Sequence, residues 1–259
     1  MQLIDTHCHL TFERLAENIE DVIERAEDAG VTEWITVGTD AGENRKVIEL
    51  AERFDNLYAA VGIHPHEAKT MTAETVTELI ELAQNPKVVA IGETGFDFHY
   101  NFSPQSDQKR AFVRQLKIAA DFNLPAIIHS REAFDETIDL LDEFGSAVKK
   151  IVFHCFTGSP EQARIILDHG WHISFTGAVT FKNAEKIRAA AAIVPLERLM
   201  LETDCPYMSP EPMRNQKTNE PALMIHTAKC LAELKQTDLH DFAAATTKTA
   251  KNFFNLPSK

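Results

Sequence analysis

The chain has 259 residues, 44 % hydrophobic and 25 % charged, with 26 Lys+Arg against 39 Asp+Glu for a net charge of −13. That composition excludes a disordered, collagenous or disulfide-scaffold protein. The acidic balance argues against a generic nucleic-acid coat or a binder of anionic membranes.

Short runs rich in Val and Ile read as strands at 3–5, 34–37, 58–61, 88–91, 126–129, 151–153, 172–175 and 199–201. Longer amphipathic segments separate them. Residues 18–29 place Ile19, Val22, Ile23 and Ala26 on one stripe. Residues 108–122 do the same with Ala111, Phe112, Gln115, Ile118, Ala119 and Phe122. Gly30, Gly145 and Gly170 stand where helix C-terminal caps are expected. No linker or composition break divides the chain, so one domain over 1–259 is expected.

Eight strands, each followed by a helical pattern, imply a parallel sheet with right-handed crossovers. About 32 residues per unit matches a (β/α)8 TIM barrel. A doubly wound open sheet is the competitor, and its Gly-rich loop after the first strand is missing. Cys8, Cys155, Cys205 and Cys230 form no C-x-x-C pair, which excludes a zinc ribbon and a thioredoxin motif. Widely spaced cysteines suit a reducing cytosol. The start, MQLIDTHCHL, has neither a basic segment nor a long apolar run. A cytoplasmic protein with no membrane association is therefore expected.

In such a barrel chemistry sits at the C-terminal ends of the strands. His7, His9, Glu93, His129, His154 and Asp204 all fall there. The strand period of two puts His7 and His9 on one side and Cys8 on the other. Ile91, Ile127 and Val152 share parity with Glu93, His129 and His154 and lie beneath them. Cys8, Cys155 and Cys205, each following a candidate ligand, read as small buried hydrophobes. Four histidines and two carboxylates at one mouth are costly to desolvate unless a cation holds them. Imidazole and carboxylate suit Zn²⁺, Mn²⁺ or Fe²⁺. Six ligands exceed one catalytic tetrahedral site, so two divalent ions are expected, with Glu93 as the bridge.

The motifs His7-Cys8-His9, Gly62-Ile63-His64-Pro65-His66, Gly92-Glu93-Thr94-Gly95-Phe96-Asp97, His154-Cys155-Phe156-Thr157-Gly158, Glu202-Thr203-Asp204-Cys205-Pro206-Tyr207 and Asn219-Glu220-Pro221 occur in this order. Together they resemble the TatD family of metal-dependent deoxyribonucleases, within the amidohydrolase-like barrels. The resemblance implies a (β/α)8 barrel in which His7, His9, Glu93, His129, His154 and Asp204 bind metal. It implies hydrolysis of DNA phosphodiesters, often as a 3′→5′ exonuclease using Mg²⁺. One stretch departs from the pattern. Where similar proteins carry Arg-Gly-Lys-Arg, this chain has Asn215-Gln216-Lys217-Thr218, keeping Lys217 and placing Arg214 one position earlier.

On this reading Asp204 is the general base for a metal-activated water. His64, Arg131 and Lys217 are candidate phosphate contacts, and His66 reads as exposed. Asp97 and Glu202 are candidates to orient ligands from behind. Phe96, Phe98, Tyr100 and Phe102 form either a stacking surface for bases or a packed lid. DNA is the expected partner and a monomer the expected state, with no obligate protein partner evident. The rival reading is an amidohydrolase-type C–N or C–O hydrolase for a small molecule. Such enzymes often carry a carboxylated lysine on the fourth strand, where this chain has Glu93.

Overall fold

The computed structural model describes residues 1–257. Its elements begin β1 (Leu3–Cys8), α1 (Glu13–Ala16), α2 (Ile19–Asp28), β2 (Val31–Val37), α3 (Ala41–Arg53), β3 (Leu57–Val61), α4 (Ala73–Leu82) and β4 (Val88–Asp97). They continue α5 (Gln105–Asp121), β5 (Ala126–Arg131), α6 (Phe134–Phe144), β6 (Ile151–Phe153), α7 (Pro160–Asp168) and β7 (His172–Phe175). Last come α8 (Glu185–Ile193), β8 (Leu199–Leu201), α9 (Met224–Leu234) and α10 (Leu239–Phe254). Strand order follows chain order. With a helix after every strand, this is the (β/α)8 TIM-barrel fold.

Two compact units make up the chain: Met1–Thr36 with everything from Cys155 onward, and Val37–His154. In the first, β7 pairs with β8 and β1 with β2, all parallel. There β8 runs beside β1: Thr6 Oγ1 donates to Leu201 O (2.9 Å) and Asp204 N to His7 O (2.9 Å). In the second unit β3, β4, β5 and β6 pair in parallel succession.

Strands buried on both faces read as near-continuous apolar runs. Leu3, Val31, Ile35, Ile173 and Leu199 are fully buried in the first unit, as are Ala60, Val61, Ile91 and Ile128 in the second. Each large aliphatic side chain among them contributes about 1.5–3 kcal/mol. The expected stripe of α2 is the buried one: Ile19, Val22, Ile23 and Ala26. Asp40 caps α3, accepting from Gly42 N and Glu43 N, and Ser159 caps α7 in a capping box with Gln162. Gly30 and Gly170 follow α2 and α7 at φ +89° and +76°.

Several boundaries differ from expectation. Gly145 ends α6 in the right-handed region, φ −86°, so no left-handed cap forms there. β1 runs on to Cys8 and β4 to Asp97, beyond the expected ends at 5 and 91. The extension of β4 depends on Gly95, φ +144°, where a Cβ would lie 2.0 Å from His129 O. Only glycine lets the two backbones approach so closely. β8 stops at Leu201, and Asp204 takes φ +53°, so strand parity does not extend to Cys205.

Asp5, fully buried, ties β1 to the segment after β8. It accepts from Thr203 Oγ1 (2.5 Å), Thr203 N (2.9 Å) and His7 N (3.4 Å). Burial outweighs these hydrogen bonds and raises its pKa to about 7. The folded state thus keeps a proton that the unfolded chain releases near pH 4. Stability falls as pH rises from about 4 to about 7. Asp5→Asn should remove this dependence in metal-stripped protein. Its stability relative to wild type should rise across that window, by at most about 4 kcal/mol. Denaturant unfolding at pH 4.5, 6 and 8 measures it, and a constant difference between the two proteins would refute the assignment.

Candidate metal centres

In the first unit, strand alternation brings His7 and His9 to one face of β1. Their Nε2 atoms lie 3.3 Å apart. Cys8 faces the other way, its Sγ donating to Ile35 O (3.3 Å). Asp204 Oδ1 lies 3.4 Å from His9 Nε2 and 3.8 Å from His7 Nε2. A tetrahedral ion with bonds of about 2.0–2.1 Å holds its donors about 3.3–3.4 Å apart. The triad therefore fits one divalent cation in donor type and in two of its three spacings, the third, His7 to Asp204, being 0.4 Å longer (3.8 against 3.4 Å). Asp204 holds its left-handed φ of +53°, which non-glycine residues seldom adopt.

Glu202, two residues before Asp204, brings a carboxylate oxygen within 4.8 Å of a His7 ring nitrogen and is held by two hydrogen bonds. Its Oε1 accepts from Cys155 N (2.5 Å) and its Oε2 from Ser174 Oγ (2.6 Å). It pins the ends of β7 and β8 to the turn at Cys155. His9 also stacks on Phe12, ring centroids 4.8 Å apart. Lys217 is exposed.

In the second unit Glu93 is the centre. It is 3 % exposed. Its Oε1 lies 2.6 Å from both His129 Nδ1 and His154 Nε2, and 3.4 Å from His64 Nε2. His129 Nδ1 and His154 Nε2 are 3.3 Å apart. Burial opposes ionisation of Glu93, but the imidazoles, His154 first, more than reverse it and hold the carboxyl well below its ordinary range. One carboxylate and two imidazoles converge, a donor set suited to a divalent ion.

Asp97 serves as the buttress. Its Oδ2 lies 3.1 Å from His129 Nε2 and 3.0 Å from His66 Nε2, and its Oδ1 accepts from Tyr100 N (2.8 Å). With the Nε2–H donated to Asp97, His129 presents Nδ1 to Glu93, where a metal ion would replace the proton the two share. That is the carboxylate–histidine–metal arrangement. Burial raises the Asp97 carboxyl, and the hydrogen bonds from His129 and Tyr100 lower it further than that, well below the usual range. His66 is thus a partner of Asp97 and not the freely exposed residue expected.

His64 is set apart by its tautomer. Its Nδ1 accepts from His66 N (3.1 Å), so in the neutral ring Nε2 carries the proton. Burial depresses its pKa to about 4, against the pull of Glu93. A neutral Nε2–H is a hydrogen-bond donor as it stands, and His64 also brings a ring nitrogen within 4.8 Å of donor atoms of Glu93 and His129. Arg131 is exposed, its guanidinium 4.7 Å above the Tyr100 ring.

Two buried glutamines of α5 complete this unit, and neither drew notice as a site residue in the sequence. Gln115 Oε1 accepts from Ile63 N (2.7 Å) while its Nε2 donates to Ile63 O and Thr94 Oγ1. Gln108 Oε1 accepts from Asp97 N (2.9 Å) and its Nε2 donates to Ser103 O. The available signal was a Gln on an apolar helical stripe, where an amide is retained only if it is hydrogen-bonded.

Strand-end triads of His, Glu and Asp on a (β/α)8 frame define a metal-dependent hydrolase. Comparison with known proteins narrows this. Residues 4–255 match the model of the TatD related DNase family, and the chain belongs to that family. It is 41 % identical over 254 residues to an uncharacterized metal-dependent hydrolase, YabD, of Bacillus subtilis, covering 98 % of this chain and 99 % of the other. It is 36 % identical over 258 residues to the 3′-5′ ssDNA/RNA exonuclease TatD of Escherichia coli, covering 98 % and 99 %. The crystal structure of the Escherichia coli TatD homolog YjjV superposes with a TM-score of 0.91 at 32 % identity over 98 % of both chains.

Asp97→Asn should weaken divalent-ion binding by about 10–100-fold, because His129 loses the partner that orients it. It should also change proton release. Burial lowers the His129 pKa, but Asp97 and Glu93 outweigh burial and raise it. A metal must displace that proton. Titration calorimetry in buffers of different ionisation heat should find fewer protons released near pH 7 by the variant. Equal affinity and equal proton release would show that Asp97 does not buttress His129.

Proposed function

We propose that this protein is a metal-dependent 3′→5′ exonuclease that hydrolyses phosphodiester bonds of single-stranded DNA. The observation that carries the reading is two clusters of metal-ligand side chains, His7, His9 and Asp204 in one and Glu93 with its histidines His64 and His129 in the other, on a chain that aligns over 98 % of its length with a relative named for that activity. His7, His9 and Asp204 form one metal-binding set; Glu93, His129 and His154 form the other. Mg²⁺ is the ion proposed for activity, with Mn²⁺ and Zn²⁺ as substitutes. Bound divalent ions supply Lewis acidity toward phosphate oxygens and lower the pKa of water.

The protein's own groups do the remainder. Asp204, its side chain 15 % exposed, is the general base that orients and deprotonates the attacking water. His64 offers a neutral Nε2–H to a phosphate oxygen without adding an acidic proton to the site. Arg131 offers its planar fork to a second phosphate oxygen, and Lys217 adds a cation in the departed loop. Glu202 and Asp97 hold their neighbours in place. We place the enzyme in the cytoplasm as a monomer. No helix among the described residues is long and apolar enough to cross a membrane.

The test uses metal-stripped protein and a 3′-overhang oligonucleotide, with Mg²⁺, Mn²⁺ or Zn²⁺ restored separately. A ladder shortening from the 3′ end should form with wild type. It should be lost by at least about 10³-fold in Asp204→Asn and Glu93→Ala, in line with loss of a metal ligand and its charge stabilisation. A parallel RNA oligonucleotide reports sugar preference. No cleavage with any ion, together with turnover of amides or lactones, would replace the nuclease with a small-molecule hydrolase.

A further inference from the structure

The loop after β4 carries aromatic rings that the fold does not use for its core. Phe96 is buried against Phe112, ring centroids 5.5 Å apart, and belongs to the packing of β4 on α5. Tyr100 and Phe102 are different. They are 48 % and 58 % exposed, and their rings stack at 5.4 Å with an interplanar angle of 23°. The ring of His66 meets both edge-on, at 5.4 and 4.8 Å.

This loop is held firmly. Ser103 Oγ donates to His66 O (2.6 Å) and accepts from Lys69 N (3.1 Å), and Tyr100 N donates to Asp97 Oδ1 (2.8 Å). The exposure is therefore built in, and about half of each large ring is held in water at a cost to stability.

Cations flank the pair. Arg131 lies over Tyr100 and makes no ion pair among the described residues, while the neighbouring Glu132 pairs with His99 at 2.7 Å. Lys69 Nζ, exposed, donates to Phe102 O (3.2 Å). From His66 a hydrogen-bonded chain runs through Asp97 to His129 and Glu93. The ring centroids of His66 and His129 are 6.4 Å apart. The platform thus stands about one ring beyond the residues proposed to hold metal.

We infer that Tyr100 and Phe102 form a stacking platform for a nucleobase of single-stranded substrate, at or beside the nucleotide being cleaved, with Arg131 and Lys69 meeting its phosphates. The inference rests on the nuclease reading and specifies where that substrate is gripped. A flat heteroaromatic ring with an anionic linker matches a stacked aromatic pair flanked by two cations that have no carboxylate partner among the described residues. Every base has such a face, so the platform gives grip with little sequence preference.

The test compares wild type with Tyr100→Ala, Phe102→Ala, the double variant and the corresponding Trp variants. Substrates are a single-stranded 12-mer, the same strand with an abasic 3′ end, and methyl p-nitrophenyl phosphate, a diester without a base. The double Ala variant should raise KM for the 12-mer roughly 5- to 150-fold. Its kcat should fall much less, and its loss on the small diester should be at least fivefold smaller. Trp at both positions should restore KM. Wild type should lose the same factor on the abasic strand, to which the double Ala variant should be indifferent. Unchanged KM in the double Ala variant, or equal handling of intact and abasic ends by wild type, would overturn the platform. If wild type cleaves neither nucleic acid, the nuclease reading fails first. Anisotropy of a labelled 12-mer then decides the platform separately: equal binding by wild type and the double Ala variant refutes it.

Discussion

A carboxylate buried at a strand end has to be compensated, and much of the second unit is arranged around that need. Glu93 is only 3 % exposed. An isolated charge so placed would cost several kcal/mol or take up a proton. Instead, His129 and His154 each approach its Oε1 to 2.6 Å. The same nitrogens that now compensate the charge are lone-pair donors once deprotonated. A cation placed here would take over that compensation, replacing protons shared among these groups.

That compensation has to be held in place, and the holding is done at two depths. Asp97 fixes His129 directly and engages His66 on its other side. Behind it, α5 uses Gln108 and Gln115 to grip the backbone at Asp97, Ser103 and Ile63. Both amides are fully buried and satisfied on oxygen and nitrogen. Satisfied polar groups of this kind fix a geometry that apolar packing alone leaves adjustable. In the first unit the same part falls to two carboxylates. Asp5 holds Thr203, next to Asp204, and Glu202 holds Cys155 and Ser174.

Where sequence reading succeeded, it did so through periodicity. The period of two separated His7 and His9 from Cys8, and Cys8 does bond to the opposite side at Ile35 O. The helical stripe of α2 was fully legible. Fold class followed from eight repeats, and the family from six motifs in order. The expected strand ended at Ile91, yet β4 runs ten residues through Gly92 and Gly95 and carries both Glu93 and Asp97. What glycine did there was admit the backbone of β5, a long-range fact with no local signature. The link from His66 to Asp97 spans 31 positions and was equally invisible. So was the left-handed turn at Asp204, because strand parity says nothing once the strand has ended.

The charge balance bears on how such a site acquires its substrate. A chain of net charge −13 repels a polyanion at long range, and salt shortens that repulsion to about 10 Å at 0.1 M. Attraction has to be local: the proposed metal-binding sets and the proposed phosphate contacts Arg131, Lys69 and Lys217. A handful of phosphate contacts gives a shallow dependence on salt, far from that of a protein that neutralises many phosphates. Stacking on Tyr100 and Phe102 is a term of another kind, set by ring overlap and not by counterion release. It also requires a base that is unstacked from its partner strand. A duplex cannot offer one without losing a base pair, whereas a single strand or a frayed 3′ end can. On this argument, preference for single strands follows from the aromatic platform and the weak field together. A purely electrostatic grip would favour the duplex, which carries the higher density of phosphate.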